Sequence, residues 1–453
     1  MAASLSMGIG ALVILVFFIV IRMPIAYSMI LVGGIGIALI DGPTLVLNQL
    51  KTLAFGQFSL YDLSVIPLFV LMGALASKTG LSHSLFRAAN AWLGWMKGGT
   101  AMAAIASCAG FGAVCGSSLA TASTMGKVAL PELKRYNYSG ALATGTLAAG
   151  GVLGILIPPS VVLIIYAVIV EANIVTMFMA AFIPGMLAVL LFLLVIALYV
   201  FISPSSGPAG GAGSREEFLS ASIGVLPVLA VFGLVIGGIY FGLYNPTPAA
   251  AVGVFLVMVF GLVQRKLALN DMIEALKETA STSGMIYMIL LGAELLKIFM
   301  SRIRLPQETA TWIAGSGMEP MTVLLLILLA LIVLGCLMDS MSMMLLAIPF
   351  FWPVLMELNG GVFQMADGSG FGMSTDELKI WFGILALIVV ELGLITPPVG
   401  MNVFVISALA KDTPMSQTFK GVAPFFGAEL VRVAILVSFP ALTLWLPKFL
   451  LYA

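Results

Sequence analysis

Two Pro-Pro pairs hold the most readable chemistry in this chain. Pro158-Pro159 falls in GILIPPS (154–160) and Pro397-Pro398 in GLITPPVG (393–400), each within an apolar stretch long enough to cross a bilayer. Proline has no amide proton and its ring clashes with the preceding turn, so two in a row open a helix. Carbonyls freed in hydrocarbon cost several kcal/mol each unless something satisfies them. Opened carbonyls and half-helix C-termini suit a hard cation such as sodium, whereas half-helix N-termini suit an anionic substrate. Upstream of each pair lies a second break, Gly116-Ser117-Ser118 in one half and 338–342 in the other. Ser117, Ser118, Ser340, Ser342 and Thr396 add hydroxyl oxygens there, and Asp339 a carboxylate. The lack of soft or nitrogen donors argues against a transition metal. A purely structural reading competes, because Pro and Gly are common in membrane helices and small residues permit close packing. Two breaks at corresponding places, each after a small-residue segment, favour the binding-site reading.

The elements that must position these residues follow from composition. The chain is 61% hydrophobic and only 9% charged, more apolar surface than a soluble fold of 453 residues hides. We therefore expect an all-α polytopic membrane protein. Zero formal net charge and the lack of a basic cluster argue against nucleic acid. One histidine, His83, and three cysteines without metal spacing leave little for metal or histidine chemistry. The first apolar run has no charged n-region before it and reads as a first span rather than a cleaved signal.

Spans are expected at 6–22, 25–41 and 63–79, then an amphipathic stretch (83–97), a re-entrant hairpin (100–130), a broken span (139–170) and a span at 176–202. After a linker at 203–221 the order recurs: spans at 222–241, 246–264 and 280–300, a hairpin at about 320–356, a broken span at 381–410 and a last span at 422–446. The expected units are thus a first repeat, 1–202, and a second, 222–453, each of five spans plus one hairpin. An odd number of spans inverts the second repeat. With the N-terminus outside, roughly twice as many Lys and Arg fall on the cytoplasmic side as outside, as the positive-inside rule demands.

Other ionisable residues within apolar segments default to function or pairing. Glu391 precedes the second break and either tunes it or pairs with Arg432; Glu429 and Arg432, at i and i+3, are expected to pair with each other. Glu294 and Lys297 read as an intrahelical pair, and His83 as a membrane-surface residue beside Arg87. Trp92, Trp95, Trp312 and Trp352 read as interface anchors.

The motifs SVIPLFVLMGALASKTG (64–80), FGAVCGSSLATASTMG (111–126), ELKRYNYS (132–139), GVLGILIPPS (151–160), GGIYFGLYNPTPAAAVG (237–253), LGCLMDSMS (334–342) and ELGLITPPVGMNVFV (391–405) occur in a fixed order over nearly the whole chain. In these the chain resembles the large membrane subunit of tripartite ATP-independent periplasmic (TRAP) transporters. The resemblance implies a sodium-coupled importer of the elevator type in a bacterial inner membrane, taking up small organic anions: carboxylates, sugar acids or sulfonates. It implies a small four-helix membrane subunit and a periplasmic substrate-binding protein as partners, and no cofactor besides Na+ as coupling ion. Carried over to this chain, it implies one sodium site at Gly116, Ser117 and Ser118 with Gly154, Ile157 and Pro158. A second falls at Asp339, Ser340 and Ser342 with Ile395, Thr396, Pro397 and Val399. Ser118, Thr121, Ser160, Ser342, Gly400 and Asn402 are the substrate candidates.

The chain departs from the family pattern in having Asn245-Pro246-Thr247-Pro248 where a carboxylate is usual, an uncharged linker at 203–214, and a Gly-rich extension within 357–379. That extension is expected outside, as a contact for the binding protein or as a tolerated loop insertion. The rival readings are a single-component sodium–dicarboxylate symporter, an intramembrane enzyme and a channel. ATP-driven transport is disfavoured by the lack of a G-x-x-x-x-G-K-[ST] loop, and an enzyme by the lack of a paired nucleophile and base.

Overall fold

The computed structural model describes residues 2–210, 214–361 and 370–452, and among them every regular element is a helix. In chain order these are α1 (Ala2–Val20), α2 (Ile25–Asp41), α3 (Pro43–Phe58), α4 (Val65–Lys78), α5 (Leu81–Leu93), α6 (Gly99–Cys115), α7 (Ser118–Arg135), α8 (Gly140–Leu156), α9 (Val161–Val170) and α10 (Ile174–Ile202). After the linker come α11 (Arg215–Phe232), a π-helical turn (Gly233–Gly237), α12 (Gly238–Tyr240), α13 (Pro246–Val263), α14 (Leu269–Arg302) and α15 (Leu305–Gly315). The chain closes with α16 (Pro320–Gly335), α17 (Ser340–Leu358), α18 (Thr375–Gly393), α19 (Met401–Leu409), α20 (Met415–Ser438) and α21 (Ala441–Tyr452).

Seven continuous helical runs are long and apolar enough to span a membrane, one of them joining a 3-10 turn (Tyr61–Ser64) to α4 and another running from α11 through the π-helical turn to α12; α8 with α9 forms one further span bent by 45°. The all-helical, polytopic expectation therefore holds. Several segments differ from the sequence reading in detail. Two helices, α3 and α15, fill stretches left unassigned, each lying beside a neighbouring hydrophobic helix (α3 on α2, α15 on α17). The last span is interrupted, since Pro440 cannot donate to the helix ladder and α20 ends at Ser438. Most of the Gly-rich extension, 362–369, lies outside the described residues.

The first part of the linker, 203–210, is tied down rather than loose. Gly98 N–H donates to Gly207 O (2.9 Å), Ser139 N–H to Ser206 O (2.9 Å) and Gly210 N–H to Gly94 O (2.8 Å). Ser214 then caps α11, its hydroxyl accepting from Glu217 N–H at 3.1 Å, so the helix starts inside the expected linker.

Packing separates two groups of helices. One gathers α2, α3, α4, α11, α13 and α14; the other gathers α6–α10 and α16–α20. Contact between them runs mainly through α5 and α4 on α6, and α14 on α17. The pairing in the second group is reciprocal. The hairpin α6–α7 seats on α8, and α16–α17 seats on α18; α17 also packs against α9, and α19 against α7. Each hairpin thus touches its own broken helix and the far half of the other.

Charges concentrate at two ends. Lys78 pairs with Glu274 and Lys134 with Asp412, both at 2.6 Å. At the other end Lys297 meets Glu171 (3.3 Å) and Arg302 meets Asp41 (3.6 Å). Each of these pairs joins segments that the expected span order puts on the same side. Glu294 and Lys297 pair as expected, at 3.7 Å.

Candidate functional site

The first hairpin turns at Gly116, which has φ +64° and closes α6 by donating to Gly112 O at 2.7 Å. A left-handed residue at this point is cheap only for glycine. Ser117 follows in extended conformation and caps α7, its hydroxyl accepting from Ala120 N–H at 3.4 Å. The tip rests on the first Pro-Pro break. A methyl group on Gly116 would lie 3.2 Å from Pro159 O, and one on Gly154 would lie 2.5 Å from Thr121 Oγ1 and 2.7 Å from Ser117 O. Gly112 likewise abuts Gly154, so hairpin and broken helix touch backbone to backbone.

Pro158 and Pro159 remove the donors that would reach the Gly154 and Ile155 carbonyls. Among the described residues no hydrogen bond to either carbonyl replaces them. Ile157 N–H still reaches Leu153 O, at 3.4 Å, and Ser160 restarts the helix by accepting from Leu163 N–H at 3.3 Å. Both Pro-Pro bonds are cis.

The second hairpin is built from the same parts. Asp339 caps α17, its Oδ2 accepting from Ser342 N–H at 3.1 Å. Gly335 abuts Gly393: a methyl on Gly393 would lie 2.6 Å from Gly335 Cα and 2.9 Å from Cys336 N. Here the freed carbonyls are taken up. Thr396 N–H donates to Gly393 O and Asn402 N–H to Leu394 O, both at 3.1 Å. The Thr396 hydroxyl donates back to Leu392 O at 2.6 Å. Pro397 and Val399 lie in the opened stretch before Gly400, which has φ +64° and accepts at its carbonyl from Phe404 N–H.

Three polar side chains converge from different elements. Ser118 Oγ, on α7, and Ser340 Oγ, on α17, both donate to the Glu391 carboxylate of α18, one to each oxygen. Glu391 is wholly buried. Arg432 instead meets Glu429 at 2.5 Å and donates to Pro184 O at 3.3 Å, both side chains fully buried. The expected Glu429–Arg432 pair is present, and Glu391 binds two serines rather than the arginine. Sequence had flagged Glu391 as an ionisable group in an apolar run, but its partners lie 273 and 51 residues away.

Two substrate candidates share a neighbourhood. Thr121 Oγ1 lies against Gly154, and Asn402 Nδ2 would lie 3.0 Å from a methyl on Gly151, one turn away on α8. Asn402 Nδ2 donates to Ala148 O at 3.4 Å, while its Oδ1 and Thr121 Oγ1 are buried without a hydrogen-bond partner. Such unsatisfied atoms are uncommon in interiors. Ser160 and Ser342 are also buried, each at the start of a helix.

A cavity of about 120 Å³ opens beside the first tip, lined by Gly116 and Ser117, by Ser77 of α4, by Glu278 and Thr282 of α14, and by Met341 next to the second tip. The α4 and α14 residues were not anticipated, because nothing in their local sequence marks them. Trp352, expected at an interface, is buried and stacks on Phe382 with ring centroids 6.4 Å apart. Trp92, Trp95 and Trp312 are exposed.

The comparisons agree with this architecture. Residues 12–442 match the model of the family described as tripartite ATP-independent periplasmic transporter, DctM component. The C4-dicarboxylate TRAP transporter large permease protein DctM of Pseudomonas aeruginosa is 33% identical over 407 residues, covering 89% of this chain and 91% of that protein. The sialic acid TRAP transporter large permease protein SiaM of Vibrio cholerae is 30% identical over 430 residues, covering 95% and 96%. The crystal structure of the Alcanivorax borkumensis YdaH transporter superposes with a TM-score of 0.60 at 15% identity, over 88% of this chain and 89% of that one, a likeness of fold. Capped hairpins seated on paired Pro-Pro breaks, together with these relatives, place the chain in the DctM family of TRAP transporter large membrane subunits.

Proposed function

We propose that this subunit imports a small organic anion, of the carboxylate, sugar-acid or sulfonate class, by sodium symport. A small membrane subunit and a periplasmic binding protein complete the transporter in the bacterial inner membrane, with the N-terminus of this chain outside. The observation that carries the reading is the first break, in which two carbonyls have lost their donors and against which a glycine–serine tip packs at Gly154 and Pro159. Such oxygens match a hard, singly charged cation. The Asp339–Ser342 tip with the carbonyls at 395–396 supplies a second candidate site. Thr121 and Asn402, with unsatisfied polar atoms beside α8, lie where an anion could reach the half-helix N-termini.

The division into two helix groups supports an elevator movement, in which the hairpins and broken helices travel together against α2–α4, α11, α13 and α14. One sodium ion descending ~100 mV releases about 2.3 kcal/mol. A divalent anion entering with two sodium ions is electrically neutral overall, so its accumulation draws on the sodium concentration gradient alone. The test is uptake into proteoliposomes holding this chain and the small subunit, with the binding protein added outside. Uptake that continues at full rate without a sodium gradient would sink sodium coupling. Uptake that needs no binding protein would assign the chain to single-component symport.

A further inference from the structure

Glu391 stands out from the other buried ionisable side chains among the described residues. Glu429 and Arg432 neutralise each other, but the Glu391 carboxylate is held only by two hydroxyls. Those hydroxyls come from equivalent places: Ser118 opens the second arm of one hairpin, and Ser340 opens the second arm of the other. The carboxylate itself sits two residues before the second break (393–400), on the helix against which Gly335 packs. Because both hydroxyls bond one planar carboxyl group, a displacement of either serine is felt by the group that holds the other. Burying such a group away from the nearby arginine is costly, which argues that its position matters for more than packing.

We propose that Glu391 is a positioning residue that locks the two hairpin tips to each other, so that filling one sodium site organises the second. This rests on the sodium reading above. Ser118 adjoins the capping Ser117, whose carbonyl touches Gly154. A tip that closes on a cation at the Gly154 and Ile155 carbonyls therefore pulls Ser118, then Glu391, then Ser340. Ser340 follows the cap Asp339, so the movement arrives at the second site.

The test combines sodium titration of uptake with spin-label distances between the hairpins. Labels go at Lys127 on α7 and Val333 on α16, both exposed, in a background whose three cysteines are alanine. Glu391→Leu removes both contacts. It should bring the sodium Hill coefficient toward one, raise half-saturating sodium about tenfold, as the loss of a buried hydrogen bond does, and broaden the distance distribution. Glu391→Gln retains one acceptor and gains one donor to a serine oxygen, so it should restore much of the cooperativity and the narrow distribution. Ser118→Ala and Ser340→Ala should each resemble Glu391→Leu and add nothing further when combined with it. These serine variants decide the matter if Glu391→Leu does not fold.

An unchanged Hill coefficient and distance distribution in Glu391→Leu would overturn the lock. Failure of Glu391→Gln as complete as that of Glu391→Leu would overturn it too, since it would make the charge itself the active feature. A wild-type transporter indifferent to sodium would sink the function proposed above. The distance measurement would still decide whether Glu391 holds the tips together.

Discussion

Gly154→Ala is the sharpest perturbation available at the first site. The new methyl would lie 2.5 Å from Thr121 Oγ1, 2.7 Å from Ser117 O and 2.9 Å from Thr121 Cβ. The threonine hydroxyl can rotate away, but Ser117 O is backbone and Thr121 Cβ is fixed to α7. Ordinary contact distances then require the tip to retreat by about 0.5 Å or more. Overpacking of this kind costs roughly 1–3 kcal/mol. If that strain falls on the cation-bound tip, half-saturating sodium rises about five- to 150-fold. Gly393→Ala makes the equivalent demand at the second site, where Gly335 Cα and Cys336 N are both backbone.

The assay is sodium-dependent uptake in the three-component proteoliposome, with the melting temperature of the purified protein measured alongside. Gly10→Ala and Gly427→Ala serve as controls, since a methyl at either position meets nothing within 4 Å. Wild-type sodium titrations in both Gly154→Ala and Gly393→Ala would refute the claim that tip-to-break contact shapes the cation sites. A fall in melting temperature with an unchanged sodium titration would refute it as well, leaving those glycines a packing role.

Asp339 separates two roles cleanly: Asp339→Asn keeps the cap and removes the charge, whereas Asp339→Ala loses both, a cap loss of about 0.5–2 kcal/mol. A sodium titration shifted in both variants assigns the carboxylate to the ion; a melting temperature lowered only in Asp339→Ala, with sodium response intact, assigns it to the helix. Thr121→Val and Asn402→Leu should raise the substrate KM with the sodium response retained, and an unchanged KM in both would remove them from the substrate site. Glu429→Leu alone should cost about 3–5 kcal/mol, while Glu429→Leu with Arg432→Met should recover most of that in thermal denaturation. The exposed Lys134–Asp412 pair holds the Asp412 carboxyl below the usual range through its hydrogen bond to Lys134. Its small contribution is full at neutral pH and fades as pH falls through that lowered value, so Asp412→Asn should lower the melting temperature slightly at pH 7 and leave it unchanged once the pH is below that value.

What could be read in advance was whatever depends on local backbone chemistry. Gly116, Ser117 and Asp339 announce turns and caps, and the Pro-Pro pairs announce broken helices, because φ limits and missing donors act over a few residues. Helices α3 and α15 escaped notice because they are short and weakly apolar, although Pro43 at the first helical position was a usable signal. Trp352 was misplaced because an indole near two prolines on an apolar helix looks the same from sequence whether it meets lipid or Phe382. The Glu391 contacts belong to a third kind. Its isolation in an apolar run marks it as important, but only the arrival of Ser118 and Ser340 beside α18 decides between serine and arginine as partner.

The same packing makes the two sites unequal despite their common parts. Each has a capped tip, a Gly–Gly contact and a cis Pro-Pro bond. In the second, Thr396 N–H and Asn402 N–H reach the carbonyls that the prolines released, and among the described residues no such donors reach the first. Asn402 thereby acts twice, with its backbone on the second break and its side chain against α8 beside the first. A cation at the Gly154 and Ile155 carbonyls meets oxygens that are already free. At the second break it must use the Ile395 and Thr396 carbonyls or displace a backbone donor, at a net cost of about 0.5–1.5 kcal/mol per hydrogen bond. The first site should therefore fill at lower sodium than the second, and the Glu391 bridge gives that first event a route to the other tip. Calorimetric titration of sodium into the purified complex should show two unequal affinities in Glu391→Leu, with Gly154→Ala weakening the tighter one. If Gly393→Ala weakened the tighter one instead, the inequality argued from the freed carbonyls would be reversed.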